Sequence, residues 1–196
     1  MSIAVLIFDG AEELDFIGPW EMLTMWASYA DGPRLITTVA ERAGPVTCAK
    51  GLKVIADNDL SGSYHIVLVP GGYAVFDLLN SAPIKTFLQR HYASGAHILS
   101  VCTGAFFLHE AGLLKGREAT THWKAMDRLR ALPDVTAAHT RYVNSGQVWT
   151  AAGVSAGIDM ALAFIAHMAG EHAAHIVQKN AEYYPEHKLY TASGET

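Results

Sequence analysis

Ile98-Leu-Ser-Val-Cys102-Thr-Gly-Ala-Phe-Phe-Leu108 is the stretch from which the fold can be read. Ile98, Leu99 and Val101 read as the last residues of a buried strand, Gly104 permits a tight turn, and Ala105–Leu108 begins an apolar helical run. A strand that turns so sharply into a helix lifts the residue at the bend out of the sheet's carboxyl edge. Cys102 occupies that bend, with its sulfur expected to face the positive end of the helix. Helix N-termini depress thiol pKa values, so part of Cys102 is expected as thiolate at neutral pH. The competing reading is a buried core cysteine, since cysteine is among the most buried residue types. The elbow context favours the nucleophile.

A length of 196 residues suits a single domain over 1–196, large enough to bury a full core without staples. Apolar residues make up 51% and charged residues 17%, a balance that fits a compact α/β protein and excludes disorder. A net charge of -5 offers no basic face, so nucleic acid is not an expected partner. Two cysteines, Cys48 and Cys102, make neither a disulfide framework nor a zinc site. Met1–Asp9 lacks a basic n-region and a cleavage site and reads as a first buried strand. No apolar run approaches the roughly 20 residues that cross a bilayer. The expectation is a soluble, cytoplasmic protein with no membrane partner.

Outward from the elbow, buried strands alternate with helical stretches. Ile3–Phe8, Leu35–Ala40, Leu52–Ala56 and His65–Val69 read as strands. Phe16–Tyr29 reads as a helix with Gly18-Pro19 at its opening, and Pro83–Tyr92 as another. A short strand ends at Thr120–Trp123, and Val135–Tyr142 and Gln147–Thr150 flank a hairpin turn at Asn144-Ser145-Gly146. A long helix runs from an N-cap at Ser155 to about Glu171, and the tail His172–Tyr190 is helix-like until Pro185. Such alternation with short connections predicts a three-layer α/β sandwich, a mostly parallel sheet with helices on both faces.

Ligands of such sheets sit at the carboxyl ends of the strands, and three features converge there. Asp15, between Leu14 and Phe16-Ile17, is expected to be poorly solvated, with a raised pKa and a proton at neutral pH. Its other reading is an N-cap for the following helix. Glu12 and Glu13 read as solvated loop charges. Pro70-Gly71-Gly72-Tyr73 follows a strand and lets backbone N–H groups form an anion-binding concavity. His122, in Thr120-Thr-His-Trp123, is placed to polarise a substrate or tune the cysteine, although a lone histidine is commonly structural. His172 and His175 share a helix face without a third ligand, so no metal is expected.

Gly-Ala-Glu-Glu-Leu-Asp15, Val-Pro-Gly-Gly72, Ser-Val-Cys102-Thr-Gly, Ala-Gly-Leu-Leu-Lys-Gly-Arg117 and Ala-Thr-Thr-His-Trp123 follow the order and spacing of the ThiJ/PfpI superfamily, which the chain resembles from residue 3 to about 170. The resemblance implies a flavodoxin-like fold related to class I glutamine amidotransferase domains. Leu-Asp15-Phe-Ile-Gly-Pro-Trp-Glu21 and Cys102-Thr103-Gly104 look most like the isonitrile hydratase branch, where the acid beside the cysteine is an aspartate. Thr103 stands where protease-like relatives carry a histidine, and Thr103 cannot serve as a general base. Peptidase activity is therefore not expected.

On that resemblance Cys102 attacks a protonated isonitrile, Asp15 supplies the proton, and Thr103 with Asp15 positions the water that releases an N-substituted formamide. Backbone N–H groups at Gly71, Gly72 and Thr103 would steady developing charge, and His122 would contact the substrate. No cofactor is required. The alternatives are a glyoxalase-like 2-oxoaldehyde hydratase, with His122 twenty residues after Cys102, a cysteine redox sensor, or a small-molecule-binding relative of regulators. The resemblance also implies a homodimer, supported weakly by the aromatic-rich stretch Trp20–Tyr29.

Overall fold

The computed structural model describes residues 1–185. A six-stranded sheet has the order β2-β1-β5-β6-β10-β9. Its strands are β1 (Ser2–Leu6), β2 (Leu35–Val39), β5 (Ile66–Val69), β6 (His97–Val101), β9 (Tyr142–Ser145) and β10 (Val148–Ala151). All neighbours are parallel except β9, which returns antiparallel on β10. β1, β5 and β10 are buried at every residue, as expected of strands covered on both faces. The flanking helices are α1 (Glu13–Tyr29), α2 (Val75–Leu78), α3 (Ala82–Ala93), α4 (Gly104–Glu110), α5 (Met126–Arg130), α6 (Ala156–Ala169) and α7 (Glu171–Asn180). The expected three-layer α/β sandwich is therefore present. No described helix is long and apolar enough to cross a membrane.

Two small sheets lie outside this frame. β3 (Gly44–Thr47) and β4 (Lys53–Ala56) form an antiparallel hairpin, whose first strand carries Pro45 and has no apolar run to announce it. β7 (Arg117–Ala119) pairs in parallel with β8 (Val135–Ala137). The expected strand Val135–Tyr142 is thus two strands in different sheets, and only Tyr142–Ser145 belongs to the hairpin.

Helix boundaries depart from expectation for identifiable reasons. α1 starts at Glu13, so Pro19 lies inside it, not at its opening. A Cβ added at Gly157 would lie 2.8 Å from the Pro19 ring, and one at Gly18 would lie 2.8 Å from Ile158. Gly18-Pro19 therefore marks where α1 and α6 cross closely. The expected long helix breaks at Gly170, whose φ of 89° belongs to the left-handed region, and the chain continues as α7. Ser155 precedes α6, but its hydroxyl accepts from Arg141 Nη2 at 3.0 Å instead of capping the helix. The part of the expected tail beyond Pro185 lies outside the described residues.

Candidate active site

The elbow forms where β6 ends and α4 begins. Cys102 has φ 59°, a left-handed conformation that costs a non-glycine residue about 1–3 kcal/mol. Its neighbours hold it there. The Cys102 N–H donates to the Ala151 and Ala152 carbonyls at 3.1 and 2.9 Å, and its carbonyl accepts from the Thr121 hydroxyl at 2.7 Å. Gly104 is not the turn residue the sequence implied. It lies in α4, and a Cβ there would stand 2.5 Å from the Val69 carbonyl oxygen, so its role is close packing against the end of β5.

Asp15 reaches the same point from the first turn of α1 and is fully buried. It does not cap the helix. Its Oδ2 accepts from the Gly71 N–H at 2.8 Å and its Oδ1 from the Val154 N–H at 3.1 Å. Val154 itself has φ 54°, a strained conformation for a β-branched residue, and that strain aims its amide at the carboxyl. Burial pushes the Asp15 carboxyl up to about 7 despite these two donors, and the Glu12 charge adds to the rise. The raised value expected from its apolar neighbours therefore appears.

Cys102 departs from expectation. Its side chain is buried, with the residue 7% exposed, and burial pushes its thiol up to about 12 with the Asp15 charge contributing. The Thr103 N–H opposes the shift without reversing it. The resting sulfur is a thiol, since desolvation outweighs the terminus of the short α4.

Gly71 and Gly72 are likewise committed. The Gly71 N–H serves Asp15, and the Gly72 N–H donates to Thr103 Oγ1 at 2.9 Å. The Thr103 hydroxyl in turn donates to the Gly72 carbonyl at 2.9 Å, so it is not free to position water as expected. A Cβ at Gly71 would stand 2.6 Å from the Thr103 nitrogen and 2.8 Å from Cys102 Cβ. The Pro70-Gly-Gly turn thus fixes the acid and the elbow against each other and is not a vacant anion nest.

A cavity of about 290 Å³ opens over the elbow, lined by Cys102, Thr103, His122, Glu12, Tyr73 and Val154 among others; the fully buried Asp15 borders Cys102 and is not itself among the lining residues. His122 Nδ1 accepts from the Lys124 N–H at 3.2 Å, so its proton sits on Nε2. Burial holds His122 below the usual histidine range, which keeps the ring neutral. Glu12 and Glu13 are not the solvated charges expected: their side chains are 19% and 14% exposed, and Lys50 Nζ pairs with both. Val154 carried no sequence signal, because it lies 139 residues from Asp15. Lys124 and Arg128 also line the cavity, at a helical spacing visible in His122-Trp-Lys-Ala-Met-Asp-Arg128. Cys48 is buried and does not line it.

Comparison with known proteins gives matches along the chain. Residues 1–167 match the DJ-1/PfpI family. The chain is 32% identical to the isonitrile hydratase of Pseudomonas putida, an alignment covering all of this chain and 84% of that protein. It is 36% identical to the HTH-type transcriptional regulator GlxA of Rhizobium meliloti over 69% of this chain, which spans only 43% of the regulator. Among solved structures, a ThiJ/PfpI family protein from Pseudomonas syringae superposes with a TM-score of 0.86 at 28% identity, covering 99% of this chain and 78% of that one. Drosophila melanogaster DJ-1beta superposes with a TM-score of 0.83 at 21% identity, covering 94% of this chain and 100% of that one, a likeness of fold.

Proposed function

The chain belongs to the DJ-1/PfpI family, and on that footing we propose that it hydrates small isonitriles to N-substituted formamides through Cys102 and Asp15. The observation that carries this reading is a fully buried carboxyl, held near neutrality, beside a cysteine that lines a cavity. Similarity to an isonitrile hydratase along the whole chain supports it.

The proton inventory suits the reaction. An isonitrile carbon resists a nucleophile until it is protonated. Neutral Asp15 delivers that proton, and the carboxylate so formed takes the thiol proton as sulfur attacks. One C–H and one C–S bond form, the carbon–nitrogen triple bond becomes double, and a thioimidate results. No thiolate is needed at rest, which agrees with the high thiol pKa. Water then adds to the thioimidate carbon: Asp15, neutral again after taking the thiol proton, protonates the thioimidate nitrogen, and the carboxylate so formed takes a proton from the water. Collapse of the adduct breaks the C–S bond, passes the remaining hydroxyl proton to sulfur and releases the formamide. The Thr103 N–H, which favours negative charge on the sulfur, steadies the leaving thiolate. No step calls on a cofactor.

The test is incubation of purified protein with small alkyl isonitriles and, separately, with 2-oxoaldehydes, following products by NMR. Formamide that disappears in Cys102→Ala supports the proposal. A 2-oxoaldehyde product instead favours the second reading, for which His122 on the cavity wall is the supporting observation. Neither product would refute both.

A further inference from the structure

The cavity over Cys102 has an uneven distribution of charge. Among the described residues its one acidic side chain, Glu12, is paired with Lys50. On another part of the wall stand Lys124, from the 3-10 turn Trp123–Ala125, and Arg128, from α5, which follows it directly. Neither makes a salt bridge among the described residues; the nearby Asp127 carboxylate is taken by Arg130 at 2.8 Å. Both heads rest on aromatic rings. The Arg128 guanidinium lies 4.1 Å from the centre of Phe76 and 5.7 Å from that of Phe106, and Lys124 Nζ lies 5.4 Å from that of Trp123.

Stacking has two consequences for Arg128. It restricts the guanidinium plane before any ligand arrives, so less side-chain freedom is lost on binding. It also occupies a face of the group and leaves the N–H edge available, the edge that meets a carboxylate in a paired fork. The chain as a whole carries a net charge of -5, so two cations without acidic partners among the described residues run against the overall charge on this wall. The cavity volume sits at the lower end of the roughly 300–1,000 Å³ typical of ligand pockets, which limits the occupant to a small molecule.

We infer that the site selects small substrates bearing a carboxylate, with Arg128 as its receptor, Lys124 in support, and the reactive group placed over Cys102. This deepens the isonitrile reading and rests on it for the identity of the reactive group. The charge preference itself belongs to the cavity.

Two assays separate the inferences. In the first, isocyanoacetate and its one-carbon-longer homologue are compared with their methyl esters, with kcat/KM measured for each. The carboxylate of at least one pair is expected to be preferred by about ten- to a hundredfold, the worth of a charge-assisted hydrogen bond. That ratio should collapse in Arg128→Gln, be partly retained in Arg128→Lys, and shrink with added salt. Turnover with equal or ester-favouring ratios, or a ratio unmoved in Arg128→Gln, overturns the inference. If no isonitrile is turned over, the hydratase reading falls, and the second assay decides the charge preference alone. Alkylation of Cys102 by iodoacetate and by iodoacetamide is timed at pH 9 by mass spectrometry, with a free cysteine peptide as reference. An iodoacetate-to-iodoacetamide ratio above that of the peptide, lost in Arg128→Gln, upholds the preference. A ratio equal to the peptide's, or one unchanged by the substitution, overturns it.

Discussion

The two oxygens of Asp15 accept from amides 56 and 139 residues away, and both partners are donors. Asp15→Asn therefore sets an N–H against an N–H, so it is expected to lower stability by about 1–3 kcal/mol as well as turnover by about 10²–10⁴-fold. A lower melting temperature alone does not separate a structural from a catalytic Asp15; pH does. The folded carboxyl titrates at about 7 against 3.8 for the free group, so the folded state keeps a proton that the unfolded chain releases. The contribution of Asp15 to stability is then largest below about 4 and falls as pH rises to 7, by about 4 kcal/mol at most. The melting-temperature gap between wild type and Asp15→Asn should narrow from pH 4 to pH 8, and kcat/KM should decline as pH rises through 7. A pH-independent gap would count against the buried acid. Cys102→Ala should abolish turnover with the fold intact. Since the thiol is pushed up to about 12, wild-type alkylation at pH 7 should be slower than that of free cysteine by about 10² or more. Alkylation as fast as in a free peptide would restore the thiolate that the elbow alone suggests.

Among the elements, those defined by continuous apolar runs were legible: β1, β5, β6 and β10 lie where Ile3–Phe8, His65–Val69, Ile98–Val101 and Gln147–Thr150 place them, give or take their ends. β3 carries no strand signal because Gly44 and Pro45 begin it, and α2 no helix signal because four residues hold no helical period. Gly18-Pro19 resembles a helix start by local chemistry, yet its meaning is the contact with α6. Gly104 gives the element-scale prediction. Gly104→Ala would press a methyl group toward the Val69 and Pro70 carbonyl oxygens, which a Cβ would meet at 2.5 and 2.8 Å. Overpacking of this kind costs about 1–3 kcal/mol. A urea midpoint unchanged from wild type would show that the elbow is looser than its geometry implies.

At the scale of the whole molecule, the aromatic stretch of α1 does not form an outward face: Trp26 is 1% exposed, and Tyr29 stands out at the helix end. Besides Tyr29, the large exposed apolar residues of α1 are Leu14 and Ile17, one turn apart, and Ile55 stands out on the β3–β4 hairpin. Lys50 ties that hairpin to the start of α1, its N–H donating to Glu13 Oε1 at 2.6 Å. A homodimer through the exposed Leu14 and Ile17 of α1 is the proposal that follows. Light scattering at micromolar concentration is expected to give twice the chain mass, and Ile17→Glu to give the monomer without a change in circular dichroism. A monomeric wild type would remove the dimer.

The sequence by itself determined the layered α/β fold, because strands buried on both faces must be continuously apolar and the helices between them must not be. It also located Cys102 at the elbow and put Asp15 shortly after the first strand, where the structure has the first turn of α1 in place of the expected loop. The ionisation of the pair was decided by tertiary structure. A thiol pKa depends on how much water reaches the sulfur, and the packing that excludes water comes from β5, β10 and α1 together. The fate of the Gly71 and Gly72 amides was decided in the same way. Val154 supplies the second donor to Asp15 only because α6 begins beside α1, a proximity between residues 139 apart that no local pattern encodes. The cationic wall shows the same limit: the spacing of Lys124 and Arg128 was visible, but the rings beneath them come from Phe76 and Phe106, which only folding brings there.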